Sequence, residues 1–168
     1  MNIIEFENID VGYDEKVVLK NINLKIKSGE HFAILGANGS GKSTLMKLIQ
    51  SQIHPRHTKK FKKEIFGKSR YSIFDLKKEL GVITNDLHNY FEKEAGYLNG
   101  FEVVLSGYYS SIGIFTHQDF TKEQIKKALE VMNFLEIIDL KNKKVSSMST
   151  GQLRKCIVAR ALIHDPKA

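Results

Sequence analysis

The stretch Gly36-Ala37-Asn38-Gly39-Ser40-Gly41-Lys42-Ser43-Thr44 restricts this chain more than any other. It matches G-x-x-x-x-G-K-[ST] in full. The apolar run His31-Phe32-Ala33-Ile34-Leu35 precedes it, as a buried central strand would. Lys42–Ser51 follows with helical spacing, Leu45, Leu48 and Ile49 sharing one side. Strand, glycine-rich loop and helix in that order make a phosphate cradle. Phosphate oxygens must approach successive backbone N–H groups, and a Cβ at several positions would block them, hence Gly36, Gly39 and Gly41. The opening helix aims its positive end at the phosphates. Lys42 supplies a compact cation for the β- and γ-phosphates, and the Ser43 hydroxyl suits Mg²⁺. Alone, the loop says only that a nucleotide binds, because many unrelated activities share it.

The rest of the chain is read around that loop. Residues 3–9 and 16–26 alternate as strands, with Ile22, Leu24 and Ile26 on one face and turn chemistry across Val11–Glu15. The basic segment 54–70 reads as surface loop with a short strand near Glu64–Gly67. Residues 73–80 look helical, and Gly81–Thr84 reads as a short strand. Residues 95–140 are mainly helical, broken near Gly107–Gly113. Thr121-Lys122-Glu123-Gln124 is a capping-box pattern, and the helix it opens places Ile125, Ala128, Leu129 and Met132 on one stripe. A last helix covers 151–163, ended by Asp165-Pro166.

Composition narrows the classes. Hydrophobic residues are 42% and charged residues 27%, enough for a packed core. The net charge of +7 suits nucleic acid, anionic lipid or a nucleotide, or a solvated Lys-rich surface. Aromatic residues are sparse in 54–70, so a nucleic-acid partner is not expected. The single cysteine, Cys156, excludes an internal disulfide and sits in an apolar helical pattern, as a small buried hydrophobe. No run reaches the roughly 18–20 apolar residues of a membrane span. The expected location is the cytosol, or the inner face of the membrane through a partner.

With the P-loop stand Tyr13 in the segment VGYDEKVVLKNINLKI and the motif Met148-Ser149-Thr150-Gly151-Gln152. On these residues the chain resembles the nucleotide-binding domain of ABC (ATP-binding cassette) proteins over essentially its whole length. Residues 101–115 and 146–152 are most similar to a bacterial subgroup that includes molybdate-transport and photorepair-type ATP-binding proteins. The resemblance implies an α/β fold: a P-loop NTPase core with an antiparallel β subdomain and an α-helical subdomain. It divides the chain into residues 1–94, β subdomain and P-loop core; 95–147, helical subdomain; and 148–168, signature helix. It implies ATP and Mg²⁺ as ligands, held by Tyr13 on adenine and by Gly36, Ala37, Asn38, Gly39, Ser40, Gly41, Lys42, Ser43 and Thr44 on the phosphates and metal. The alternative, less favoured reading of Tyr13 is a turn tyrosine over the sheet edge.

In this family, the resemblance implies, Ser149, Gly151 and Gln152 bind the γ-phosphate of ATP held by the opposite subunit. A head-to-tail homodimer, or a dimer with another ABC domain, and a membrane permease are therefore the expected partners. Without the resemblance, Ser149 reads as a plain helix cap. Two positions depart from the pattern. Thr150 replaces the first signature glycine, and Asn85 stands where a water-sensing glutamine is usual and is one methylene shorter. Non-hydrolysing nucleotide binding and a nucleic-acid-associated ABC protein remain as alternatives.

The family pattern continues with an apolar strand ending Asp-Glu and later a switch histidine. Neither stands in these residues, so no catalytic residue is assigned and the fold is expected to be C-terminally incomplete. The chain alone is expected to be poorly soluble or partly disordered. A monodisperse sample with one cooperative thermal transition would refute this.

Overall fold

The computed structural model describes residues 1–57 and 60–168. Thr58 and Lys59, inside the basic segment read as surface loop, lie outside the described residues. Two compact units are present, Met1–Leu76 with Ala168, and Lys77–Lys167.

The first unit is built on an antiparallel hairpin, β1 (Asn2–Tyr13) and β2 (Lys16–Lys27). Its turn is tighter than the sequence pattern suggested. Strand pairing runs out to Tyr13 opposite Lys16, leaving Asp14-Glu15 as a two-residue connection with Asp14 at φ 48°. Four register shifts interrupt the ladder, and at two of them Asn8 and Asn21 take left-handed φ of 54°. Side chains satisfy the N–H groups these two free: Asn8 N donates to Asn23 Oδ1 at 3.0 Å and Asn21 N to Asp10 Oδ1 at 2.6 Å. After α1 (Lys42–Ile49), β3 (Lys62–Ile65) pairs antiparallel with the far edge of β1, giving the order β2-β1-β3. The core joins Phe6, Ile9 and Val11 of β1 to Leu45, Leu48 and Ile49 of α1. On the outer face, the Glu5 carboxylate meets Lys62 at 3.2 Å and Lys25 at 3.5 Å.

Two expected strands are not strands. Residues 30–37 and 81–84 carry no strand pairing, and Phe32 and Leu35 are 56% and 91% exposed. A central parallel strand is buried only when neighbours bond its edges. The three strands among the described residues pair only with one another. Apolar composition alone therefore leaves 31–36 extended and uncovered.

The second unit is helical. Its elements after α2 (Ile73–Glu79) are α3 (Asn85–Glu94), α4 (Gly100–Leu105), α5 (Lys122–Phe134) and α6 (Thr150–Leu162). The division between units falls inside α2. The expected capping box at Thr121/Gln124 is present, and Asn99/Glu102 forms another on α4. The buried stripe of α5 is Ala128, Val131 and Met132; Ile125 is 38% exposed, because the helix turns Val131 inward instead. Gly107 lets the chain after α4 lie against α6, where a Cβ would stand 2.6 Å from the Arg160 carbonyl oxygen. The Arg160 guanidinium is half-buried there, donating from Nε to Ser106 Oγ (3.1 Å) and from Nη2 to the Ser111 carbonyl (3.1 Å), with its face over Phe91. Burial lowers its pKa to about 10, so it stays charged at neutral pH. Cys156 is fully buried in α6, and burial pushes its thiol up to about 11, as fits an inert core residue.

Phe91 is fully buried and Phe134 is 79% exposed. Phe91→Ala should destabilise the chain by about 3–5 kcal/mol, while Phe134→Ala should stay within about 0.5 kcal/mol of the parent. Urea unfolding followed by circular dichroism separates the two.

Candidate functional site

The phosphate-loop residues lie in the first unit. Gly36–Ser40 form a turn closed by Ser40 N donating to the Ala37 carbonyl at 3.2 Å. Gly39 has φ 79° and Gly41 has φ 92°, so both occupy the left-handed region where a Cβ is unfavourable. A Cβ on Gly39 would meet nothing within 4 Å, so its glycine serves backbone conformation and open approach. One on Gly36 would stand 2.7 Å from Ser40 Oγ and narrow the turn. Lys42 Nζ donates to the Gly36 and Ala37 carbonyls, both at 2.7 Å, which holds the ammonium across the loop.

What most distinguishes this loop is the helix start beside it. Gly41 caps α1 with no side-chain hydrogen bond, and the first turn has no acidic residue. The helices α3, α4, α5 and α6 all use a side chain as cap: Thr84, Asn99, Thr121 and Ser149. The first N–H groups of α1 are thus left to an outside acceptor, with the helix dipole favouring an anion. Ser43 is exposed at the second helical position, where its hydroxyl is open to a metal; Thr44 is buried against the core. A loop with open glycines, an uncapped helix start, a cation and a free hydroxyl fits a Mg²⁺-bound phosphate chain. Asn38 and Ala37 are exposed parts of the same turn.

Tyr13 ends β1 and is 42% exposed, with Lys47 Nζ of α1 at 5.9 Å from its ring centroid. Arg56, read from sequence only as part of a basic segment, clamps the hairpin beside it. Its backbone N donates to the Asp10 carbonyl at 2.8 Å and its guanidinium to the Asp14 carbonyl. A periodicity reading had no signal for this contact, which spans more than forty residues.

The signature residues lie in the second unit at the start of α6. Ser149 Oγ accepts from Gln152 N at 3.2 Å, and Gln152 Oε1 accepts from Ser149 N at 3.0 Å and from Lys143 Nζ at 3.0 Å. The amide of Gln152 is therefore engaged in capping. Gly151 is exposed, and a Cβ there would find only Ser149 Oγ, at 4.0 Å. Nothing in the fold demands glycine at 151. Thr150 is exposed at the first helical position. Asn85 opens α3, exposed, and its Oδ1 accepts from Arg154 Nη1 on α6 at 2.9 Å. Sequence reading did not anticipate Arg154. Asp86 is exposed in the same first turn.

The ABC transporter family profile matches residues 19–168. This chain belongs to the ABC transporter family. It is 32% identical over 170 residues to the ABC transporter ATP-binding protein ModF of Escherichia coli, covering 97% of this chain and 33% of ModF. An uncharacterized ABC transporter ATP-binding protein of Methanocaldococcus jannaschii is 34% identical, with 98% of this chain and 54% of that protein covered. The chain thus spans about a third to a half of these relatives. The structure is similar to CbiO1 from Clostridium perfringens, described as part of the transporter complex CbiONQ, with 26% identity, a TM-score of 0.75, and 98% and 62% of the two chains covered. It is also similar to a dimeric bacterial ABC transporter cassette, at 27% identity and a TM-score of 0.69, covering 97% and 70%. The α/β class and the ABC-type cassette fold follow. No helix among the described residues is long and apolar enough to cross a membrane.

The two glycines predict opposite outcomes. Gly41→Ala forces a Cβ into the left-handed region, 2.5 Å from Leu19 Cδ2, and should destabilise by about 1–2 kcal/mol. Gly151→Ala should not lower the unfolding midpoint, since the position is open and outside that region. Thermal unfolding of both variants checks this.

Proposed function

We propose that this chain is the ATP-binding part of an ABC-type system, holding MgATP on the loop Gly36–Thr44 and engaging a second cassette through the start of α6. The carrying observation is the α1 N-terminus: the loop leaves its N–H groups without a side-chain cap, while α3, α4, α5 and α6 each supply their own. In this reading Gly36, Ala37, Asn38, Gly39, Ser40 and Gly41 wrap the phosphates, Lys42 neutralises their charge, and Ser43 contributes one oxygen to Mg²⁺, with Thr44 closing the loop against the core. Tyr13 offers its exposed face to adenine. Residues 1–94 carry the nucleotide, 95–147 form the helical part, and 148–168 form the signature helix.

Ser149 and Gly151 then face the terminal phosphate of nucleotide held by another copy or a related cassette. The openness around Gly151 supports this, because a phosphate can come close only where no Cβ stands. Gln152 belongs to the same trans site and positions Ser149 through the capping box. Asn85, tied to Arg154, links α3 to the signature helix, so a water-sensing role there would run through that pair. A permease that places the chain at the inner face of the membrane is the proposed working partner, and ATP hydrolysis the proposed work of the whole protein.

Binding of a fluorescent ATP analogue with Mg²⁺ tests the reading. Lys42→Ala should abolish binding, and Tyr13→Ala should weaken it by about tenfold, in the range of one lost base stack. Gly151→Ala should keep binding and lose ATP-dependent self-association by sedimentation. Equal binding by the parent and Lys42→Ala would overturn the assignment.

A further inference from the structure

Lys63 occupies a position that charge patterning does not explain. Strand register places Lys63 opposite Phe6 and Ile65 opposite Ile4, so Lys63 shares the core face of the sheet with three buried apolar side chains. Its neighbours Lys62 and Glu64 point to the outer face, where they pair with Glu5 or each other. Lys63 is half-buried, and its described partners are a hydroxyl and a ring. Nζ lies 2.8 Å from Ser51 Oγ, which lies 2.7 Å from the Tyr71 hydroxyl, and Nζ also sits 5.8 Å from the Tyr71 ring centroid. No carboxylate is within ion-pairing distance of Lys63 among the described residues.

We propose that Lys63 is a modification site: a nucleophilic amine, set by Ser51 and Tyr71, that accepts acyl groups from small acyl phosphates. The two hydroxyls serve the amine in either protonation state. An ammonium donates to Ser51 Oγ; a neutral amine accepts from the Ser51 hydroxyl, which in turn accepts from Tyr71. Burial raises the Tyr71 phenol above its ordinary range, so it remains a protonated donor. Desolvation without a compensating anion favours the neutral amine, the form that attacks electrophiles. It lowers the Lys63 pKa to about 8. An ordinary lysine near 10.4 is neutral in only about one molecule in a thousand at pH 7.5. The folded chain therefore binds less proton at Lys63 than the unfolded chain between about pH 8 and the ordinary lysine range, and stability gains from this site as pH rises through that window.

In the step itself, the Nζ lone pair attacks the acyl carbonyl carbon. An N–C bond forms, the C–O bond to phosphate breaks, and inorganic phosphate leaves with that electron pair. The surplus amine proton passes to the departing phosphate or to water. Segment 54–70 has many Lys and Arg residues and one carboxylate, Glu64, which concentrates an anionic reagent near the amine.

The test treats the full chain with limiting acetyl phosphate and follows each lysine by peptide mass spectrometry. At pH 7.5, Lys63 should be acetylated about tenfold faster than the exposed Lys16 and Lys20, as a desolvated nucleophilic lysine would be. Its rate should level off above about pH 8, and its advantage should vanish in urea. A Lys63 rate at or below those of Lys16 and Lys20 in the folded chain overturns the proposal. An advantage that survives in urea overturns it too, because it would then belong to local sequence and not to the Ser51–Lys63–Tyr71 arrangement.

Discussion

The N-terminus of α1 is the constraint around which the first unit is arranged. Gly41, at φ 92°, turns the chain from an open loop straight into a helix whose first N–H groups have no side-chain acceptor. That arrangement is costly in isolation, since a capping side chain is ordinarily worth about 1 kcal/mol. It persists because the helix is secured at its other end and along its inner face. Leu45, Leu48 and Ile49 pack under the β1–β2 hairpin, and Leu19 lies against Gly41 itself. Hydrophobic burial thus stabilises a helix whose polar start carries no side-chain cap. The same strand that covers α1 ends in Tyr13.

The second unit solves the opposite problem. Its helices cap themselves, and α6 does so with the very residues that define the signature. Ser149 and Gln152 form a reciprocal cap, and beside them Thr150 and Gly151 are exposed, with open space around Gly151. Deeper in α6 the half-buried Arg160 is held by Ser106 and the Ser111 carbonyl and covers Phe91, which ties α6 to the segment after α4 and to α3. A partly desolvated guanidinium satisfied by neutral acceptors fixes orientation more than it adds stability. Arg154 on the outer side of α6 fixes Asn85 in the same way. The signature helix is therefore locked at two levels before any ligand is considered.

Polar groups on the first unit show how one strand can hold two electrostatic regimes. Along β3, the outward Lys62 pairs with the carboxylates of Glu5 and Glu64, where screening keeps such contacts weak. Among the described residues the inward Lys63 meets a hydroxyl and an aromatic face, where its charge is disfavoured. Strand alternation alone separates them. In the sequence the three residues read as one basic stretch.

What the sequence determined by itself was local. The glycine spacing of the phosphate loop, the capping box at Thr121, the helix cap at Ser149, the alternation of β1 and β2 and the stripe of α1 all follow from hydrogen bonds and periodicities closed within a few residues, and each is present in the fold. The chain's family was legible for the same reason: Gly36–Thr44 and Met148–Gln152 are contiguous. Tertiary structure decided what depends on a distant partner. The run 31–36 has strand composition, yet a strand exists only where another strand bonds its edge, and none of the described strands does. The clamp of Arg56 on the hairpin, the tie of Arg154 to Asn85 and the inward face of Lys63 are likewise set by register and packing. Period and composition state which residues want cover; only the assembled chain states what covers them.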